Sequence, residues 1–585
     1  MSQKSPSLST YQARADLRKY EDNGLLLYAI QLALDVEDVD SLAAVALTDG
    51  SDDKKCDLVY VDQDSGRAII AQGYFSTRDK ASAPANKASD LNTAVAWLFG
   101  AEQDSIPARL RPARDELHEA MRANAIRQVD LWYVHNLPES HQVQEELNTA
   151  RSGVRAHLDQ RYPDSSVEDI VALEVGRGTL DRWYATSQLP ILVTDEIDVP
   201  ANQGFSQQGD RWEAFCAPVP AGWLTEMFKS YGTALFSANV RDYLGSINSD
   251  ANINNAIKRT AEGTPERFFA YNNGLTILVN DLEPPTEDNP ILKVRGLSIV
   301  NGAQTTGALA SSDASADALS SARVLARFVK CSDQQVIREI IQYNNSQNKV
   351  EAADFRSNDK IQDRLRREFE RIPESDYRGG RRGGERDIIE RPANLVPTQT
   401  AAQALAAFHG MPNIAYNETR RIWSSDEVYA QVFPERVSAR HLLFCYSLLK
   451  AIEEAKFNLS KIPTAERTGA QGEQMKFFRL RGSTILLANA TSECMETILG
   501  VPVHDSWKMH FRRNVSHREA VSLWQPVLIP LLPFVGQLED AISGYLKNSE
   551  RTAAALTRFR ALVEATRSAL GAGPYAEFAA GVSVN

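Results

Sequence analysis

Two spacings of apolar residues share the chain, one of 3.6 residues and one of two, and they divide it into helices and strands. From about residue 10 to 47 the pattern predicts two helices, and the first, TYQARADLRKYEDNGLLLYAIQLAL, is charged early and apolar late. CDLVYVDQDSGRAIIAQGYF predicts a hairpin of two β-rich runs around a Gln-Asp-Ser-Gly turn. ASDLNTAVAWLFG reads as a helix, and QVDLWYVHN and VEDIVALEVG read as strands. Helices around a mixed sheet are therefore expected up to about residue 195, and DEIDVPANQGFSQQGD (195–210) reads as a linker or loop-rich crossing. Beyond it come a helix LTEMFKSYGTALF, strands GLTILVN and GLSIV, and helices around QQVIREIIQY and NDKIQDRLRREFERI. After about residue 400 the pattern is mainly helical, as in TQTAAQALAAFHG, ARHLLFCYSLLKAIEEAKF and ALTRFRALVEATRSAL.

The expected fold class is α/β multidomain, and a chain of 585 residues has length for three cores. The predicted domains are 1–195, 211–400 and 401–585. No run of 18 apolar residues occurs, so no membrane span is expected, and the first residues lack the apolar core of a secretory signal. Five scattered cysteines without a CxxC pair point to a reducing cytoplasm and away from a thiolate zinc site. The nine histidines show no HExxH or HxH spacing. A net charge of −12 confines any nucleic-acid contact to local basic patches.

A hairpin symmetric about Asp64 and Ser65 places Asp57 directly opposite Gln72, with Tyr74 on the same face two residues on. An acid facing an acid or amide, with a third polar group two positions later, is the layout of a PD-(D/E)XK nuclease core, where carboxylates hold Mg²⁺ and a lysine helps activate water. The first domain is accordingly expected to be restriction-endonuclease-like. Asp57 and Gln72 are its candidate metal ligands, and Asp57, Gln72 and Tyr74 its candidate catalytic residues. Gln72 supplies an oxygen without charge, Tyr74 stands where the lysine belongs, and Lys54, Lys55 or Lys80 are the available substitutes. An ordinary hairpin with an aspartate at its mouth is the plainer reading.

In GLSIVNGAQTTGALAS, strand, turn and helix follow one another. Asn301 is placed to cap the helix, with Gln304 completing an Asn-x-x-Gln capping box around Gly302. The same helix start, with the hydroxyls of Thr305 and Thr306, offers donors to a phosphate or other anion. Two further amide clusters accompany it: Tyr271, Asn272, Asn273 and Gly274, then Tyr343, Asn344, Asn345, Gln347 and Asn348. Amides do not exchange protons at neutral pH, so these groups suit recognition of a base, sugar or phosphate, or a satisfied buried network.

LFSANVRDYLG, ERFFAYNNGLTILVND, LSIVNGAQTTGAL and YNNSQNKVEAADFRSND, in this order over about residues 230–375, resemble the abortive infection phage resistance (AIPR) family. Asn239, Arg241, Asn272, Asn273, Gly274, Asn301, Gly302, Gln304, Thr305, Asn345, Gln347 and Asn358 stand on its motif positions. The N-terminal hairpin is similar to the family's segment ending in Gln-x-Lys-Tyr, with Tyr74 in place of the lysine. The resemblance implies a central AIPR α/β domain in a bacterial or prophage defence protein, often encoded near restriction–modification genes, without fixing a biochemical activity. More distantly, VNGAQTT is similar to the phosphate-holding loop of ParB/sulfiredoxin-like proteins, although its basic residue is Thr305 or Thr306 here.

Nine arginines and seven acids lie between Arg364 and Arg391, as expected for a solvated, internally paired helix face. Arg378, Arg381 and Arg382, on a glycine-rich backbone, are the candidate nucleic-acid contacts, with a plain surface loop as the alternative. Lys508, Arg512, Arg513 and Arg518 form a second basic patch, and Trp507, Trp524 and Tyr545 are expected to be core or interface anchors. Three readings stay open: a defence protein with an altered Mg²⁺-dependent nuclease, a non-catalytic module binding nucleic acid or a partner, and a sensor that takes a nucleotide. Nucleic acid, an unidentified phage-derived trigger and further copies of the chain are the expected partners.

Overall fold

Buried β-branched and aromatic side chains build two large sheets, beside two two-stranded ones, and helices with one apolar stripe cover the large sheets. In the computed structural model the structure describes residues 5–34, 36–48, 54–63, 65–188, 191, 193–201, 203–236, 251–286, 291–331, 333, 336–337, 340–341, 344, 359–378, 394–570 and 573–584. The chain separates into two units, each assembled from non-adjacent segments. One comprises Met1–Ala13, Leu32–Leu34 and Val175–Val350, and the other Arg14–Gln31, Asp35–Glu174 and Glu351–Asn585.

The second of these contains a four-stranded sheet of β1 (Leu58–Asp62), β2 (Arg67–Tyr74), β3 (Gln128–His135) and β4 (Asp169–Val175), in that order. The first pair is antiparallel and β2–β3 is parallel. Helices α1 (Ala85–Val95), α2 (Arg111–Arg122) and α3 (His141–Arg161) pack Leu91, Leu117 and Val154 into one core with Val59, Ile70 and Leu131 of the sheet. Its helical part, from Glu351 on, has a core of its own, into which the long helix Ala439–Lys461 sends Leu442, Phe444 and Leu448.

The other unit holds a seven-stranded sheet of β5 (Val193–Val199), β6 (Phe205–Gln208), β7 (Trp212–Pro220), β8 (Leu275–Val279), β9 (Asp281–Glu283), β10 (Leu292–Asn301) and β11 (Arg323–Cys331). The main path runs β5-β10-β8-β11-β7-β6, with β9 beside β10. Leu275, Ile277, Val324, Ala326 and Phe328 face a core shared with helices Ala221–Tyr231 and Ala303–Ala310. The opposite face is covered in part, where Ala214, Leu278, Val300 and Val329 meet Ile337.

The stretch 195–210, expected as linker, instead supplies most of β5 and all of β6. Its signal was weak because β6 is exposed at all four residues and so carries no apolar face. In β5, Val193, Ile197 and Val199 are buried while Glu196 and Asp198 are exposed, the alternation of a half-buried strand. Among the described residues no single helix is long and apolar enough to cross a membrane.

Candidate functional site

Two groups of polar side chains carry chemistry, one in each unit. In the four-stranded sheet the register pairs Leu58 with Ala71 and Val59 with Ile70, so the next position brings Asp57 against Gln72 as the hairpin symmetry predicts. The apex residue Asp64 lies outside the described residues. Gln72 Nε2 donates to Asp57 Oδ2 at 2.7 Å, and the backbone N–H of Gly73 donates to the same oxygen at 2.7 Å. Asp57 is 9% exposed and Gln72 7%, so both bonds lie in a poorly hydrated place. One oxygen of the carboxylate thus accepts from both a side-chain amide and a backbone N–H. Gln72 Oε1 is buried without a hydrogen-bond partner.

Tyr74 follows on the same strand, and Lys80 Nζ donates to its hydroxyl at 3.1 Å. That bond, ahead of all other influences, holds the Tyr74 phenol below its ordinary pKa. Lys80 therefore serves the tyrosine that occupies the lysine position. Next to Tyr74 in the parallel register is His135, whose Nε2 lies 3.0 Å from Glu174 Oε1 in a buried pair. Glu174 also accepts from the backbone N–H of Ser140, at 3.0 Å. No local motif marks this pair, because its members lie 39 residues apart.

The second group lies on the partly covered face of the seven-stranded sheet. Phe205 pairs with Cys216, Cys216 with Arg327, Arg327 with Thr276, and Thr276 with Asn301. Directly paired residues on adjacent strands point to the same side, so these five form a row across five strands. A register irregularity between Ile299 and Asn301 admits an extra residue and keeps Asn301 in that row. Arg327 Nη2 donates to Thr276 Oγ1 at 2.8 Å, and the Thr276 hydroxyl donates to Asn344 Oδ1 at 2.8 Å. Asn301 Nδ2 donates to the Asn344 carbonyl at 2.8 Å, while Asn344 Nδ2 reaches the Ile340 carbonyl at 2.8 Å. Phe205 is 62% exposed and Arg327 is also exposed, so an aromatic ring and a guanidinium stand at the open end of an ordered amide network.

The expected capping box is absent. Asn301 ends β10 and is committed to Asn344, and Gly302 is the residue that enters the helix, without a side-chain cap. Gly302 has φ +103°, and a Cβ there would lie 1.9 Å from Leu275 Cδ2, so the turn needs glycine. Thr305 accepts from Asn272 Nδ2 at 3.1 Å, and the Thr306 hydroxyl donates to the Gly302 carbonyl at 3.1 Å. Both hydroxyls proposed for an anion are thus engaged within the fold. Asn272 Oδ1 also accepts from the Gly274 N–H at 2.9 Å, closing the Asn-Asn-Gly turn, while Asn273 is exposed and Gln304 half-buried.

Residues 236–476 match the family model described as AIPR protein. This supports the resemblance read from the asparagine-rich motifs, and the AIPR domain suggests abortive-infection antiphage defence. No curated protein and no solved structure matches the chain significantly. Of the AIPR motif positions, Asn239, Arg241, Asn345, Gln347 and Asn358 lie outside the described residues, as do Arg381 and Arg382. Arg378 is described, and its Nε donates to Asp376 Oδ2 at 3.1 Å. In the second basic patch Arg513 pairs with Glu519 at 3.0 Å. Trp524 is fully buried and Trp507 is 8% exposed, in keeping with core anchors.

Residue reasoning along the chain missed Phe205, Thr276 and Arg327. Each lies inside a strand run, where cross-strand neighbours and not sequence neighbours define the site.

Proposed function

We propose that this AIPR-domain chain is an antiphage defence protein that recognises nucleic acid or a nucleotide on the open face of its seven-stranded sheet, without cleaving it. The observation that carries the reading is the row Phe205–Cys216–Arg327–Thr276–Asn301 with Asn344 against its inner end. A solvent-facing ring offers a base a stacking surface, and an exposed guanidinium offers a phosphate a forked pair of donors. Amides and a hydroxyl held by mutual hydrogen bonds read a base or sugar edge without proton transfer. No acid or histidine is in the row, so binding is the chemistry that it supports.

Fluorescence anisotropy with labelled single-stranded DNA, single-stranded RNA, duplex DNA and a nucleoside triphosphate tests this on the full chain. Wild type is expected to bind at least one of them more weakly as salt rises, and Arg327→Gln to lose affinity about tenfold, as for a lost charged contact. Absence of binding to all four, or binding indifferent to Arg327→Gln, removes the proposal.

A second reading, an altered Mg²⁺-dependent nuclease, is favoured by one observation: the unpartnered Gln72 Oε1 beside the Asp57 carboxylate. Rotation of the amide would turn that oxygen toward a cation at Asp57. Cleavage that requires Mg²⁺ or Mn²⁺ and disappears in Asp57→Ala would support this reading over the first.

A further inference from the structure

Two histidines and a cysteine converge in the helical part of the chain, far in sequence from both groups described above. His409 follows the helix Thr398–Phe408, and His441 and Cys445 lie one turn apart on the helix Ala439–Lys461. His409 Nε2 and His441 Nε2 are 2.9 Å apart, and Cys445 Sγ is 3.4 Å from the same His441 nitrogen. The ligand atoms all lie within 4.8 Å of one another, and no other trio of histidine, cysteine, aspartate or glutamate among the described residues is grouped in this way.

We infer that His409 Nε2, His441 Nε2 and Cys445 Sγ form a binding site for a Zn²⁺-class cation. The geometry of His441 is the first support. Its Nδ1 is 2.8 Å from the Met509 carbonyl, which can only accept, so Nδ1 carries the proton and the Nε2 lone pair points at the other two groups. A backbone carbonyl fixing the tautomer in this way is the usual outer support of a metal-bound histidine. The second support is a conflict of donors. Without a cation, a proton on His409 Nε2 occupies that lone pair, and the Cys445 thiol 3.4 Å away finds no free acceptor there. A cation satisfies all three atoms at once.

Both edges from His441 fit a tetrahedral ion, and the third, His409 Nε2 to Cys445 Sγ, lies within 4.8 Å and closes as the ion binds. An ion with Zn–N of about 2.0–2.1 Å and Zn–S of about 2.3 Å holds tetrahedral nitrogens about 3.3 Å apart and nitrogen and sulfur about 3.6 Å apart. The observed 2.9 and 3.4 Å need only a few tenths of an ångström of opening. The walls are largely aromatic: His409 stacks on Trp507 at 3.5 Å and 6°, and Phe408 and Phe444 flank His441. Burial holds both histidines neutral, with His441 pushed down to about 4 and His409 to about 2. Neutral imidazoles are the ligating form. Metal–sulfur bond formation displaces the Cys445 thiol proton. Three protein ligands leave one tetrahedral position for water.

Full-length protein, stripped of metal under reducing conditions, is titrated with Co²⁺ and then with Zn²⁺. One Co²⁺ per chain is expected, with tetrahedral d–d absorption and a thiolate-to-Co²⁺ charge-transfer band, and Zn²⁺ is expected to abolish both. Cys445→Ser is expected to lose the charge-transfer band and His441→Gln to lose both signals, with circular dichroism confirming the fold. No Co²⁺ uptake by wild type overturns the site, and so does a charge-transfer band that persists in Cys445→Ser. X-ray absorption of the Zn²⁺-loaded wild type needs no variant: a first shell containing sulfur with two imidazole nitrogens supports the assignment, and a shell without sulfur ends it.

Discussion

The hairpin site and the sheet-face site use the same kinds of side chain to opposite ends. At the hairpin, Gln72 turns its amide nitrogen onto Asp57 in a nearly dry place and leaves its oxygen without a partner. On the seven-stranded sheet the amides and hydroxyl also bond to one another, but the chain of bonds ends at an exposed guanidinium. The difference is where the last donor points. An ordered row ending in a solvent-facing cation presents a prepared surface for an anion.

The comparison breaks most severely at Gly274, which holds the Asn-Asn-Gly turn at φ +81°. A Cβ there would meet the Leu325 carbonyl oxygen at 2.6 Å, so Gly274→Ala is expected to cost about 3 kcal/mol in urea unfolding. Gly73→Ala is the control in the other sheet. Its Cβ would meet Leu26 at 3.4 Å and Asp57 at 3.5 Å, without positive φ, and its cost is expected to stay below about 1 kcal/mol.

Gln72→Glu comes next in size. It replaces a donor 2.7 Å from Asp57 with a second carboxylate, for an expected loss of about 2 kcal/mol at neutral pH. Repulsion raises the pKa of the pair, so the loss is present above that value and fades as pH falls. Recovery on adding Mg²⁺, followed by thermal unfolding, would show that the backbone geometry is still that of a metal site.

Acid separates the units more gently. All nine histidines lie in the unit that contains the four-stranded sheet. Among them His118 is pushed down to about 4, first by burial. Its unfolded form takes up a proton near pH 6.5 while the folded form does not until about 4. Stability is therefore full above about 6.5 and falls between these values, at up to about 1.4 kcal/mol per pH unit. Hydrogen exchange from pH 7 to 5 is expected to show loosening around His118 and none of histidine origin in the seven-stranded sheet.

The smallest effect is at Lys80. Lys80→Met removes the bond that lowers the Tyr74 pKa, so the phenol is expected to titrate at higher pH by ultraviolet difference spectroscopy. Stability should change by less than about 0.5 kcal/mol, as for other surface substitutions.

The hairpin register was legible because the short connection between Asp62 and Arg67 sets every pairing behind it, and one misplaced residue would have moved Asp57 to the other face. The asparagine-rich motifs were legible as a family resemblance, and the matched region 236–476 supports that reading. The helix cap was misread because Asn301 has the right residue type at the right spacing. A local bulge committed it to Asn344 and left the turn to Gly302. β6 was missed because none of its residues is buried.

Apolar spacing and turn residues by themselves determined several elements, although not β7, β11, α2 or α3, together with the pairing across the first hairpin and the absence of acid–base groups among the amides. These are local properties, decided by neighbours within a few positions. Tertiary structure alone decided that Phe205, Arg327 and Asn301 share one row, and that His409 meets His441 and Cys445 from 32 and more residues away. Strand order and helix packing are set by burying whole faces together, and no short stretch of sequence records which side chains that burial brings into contact.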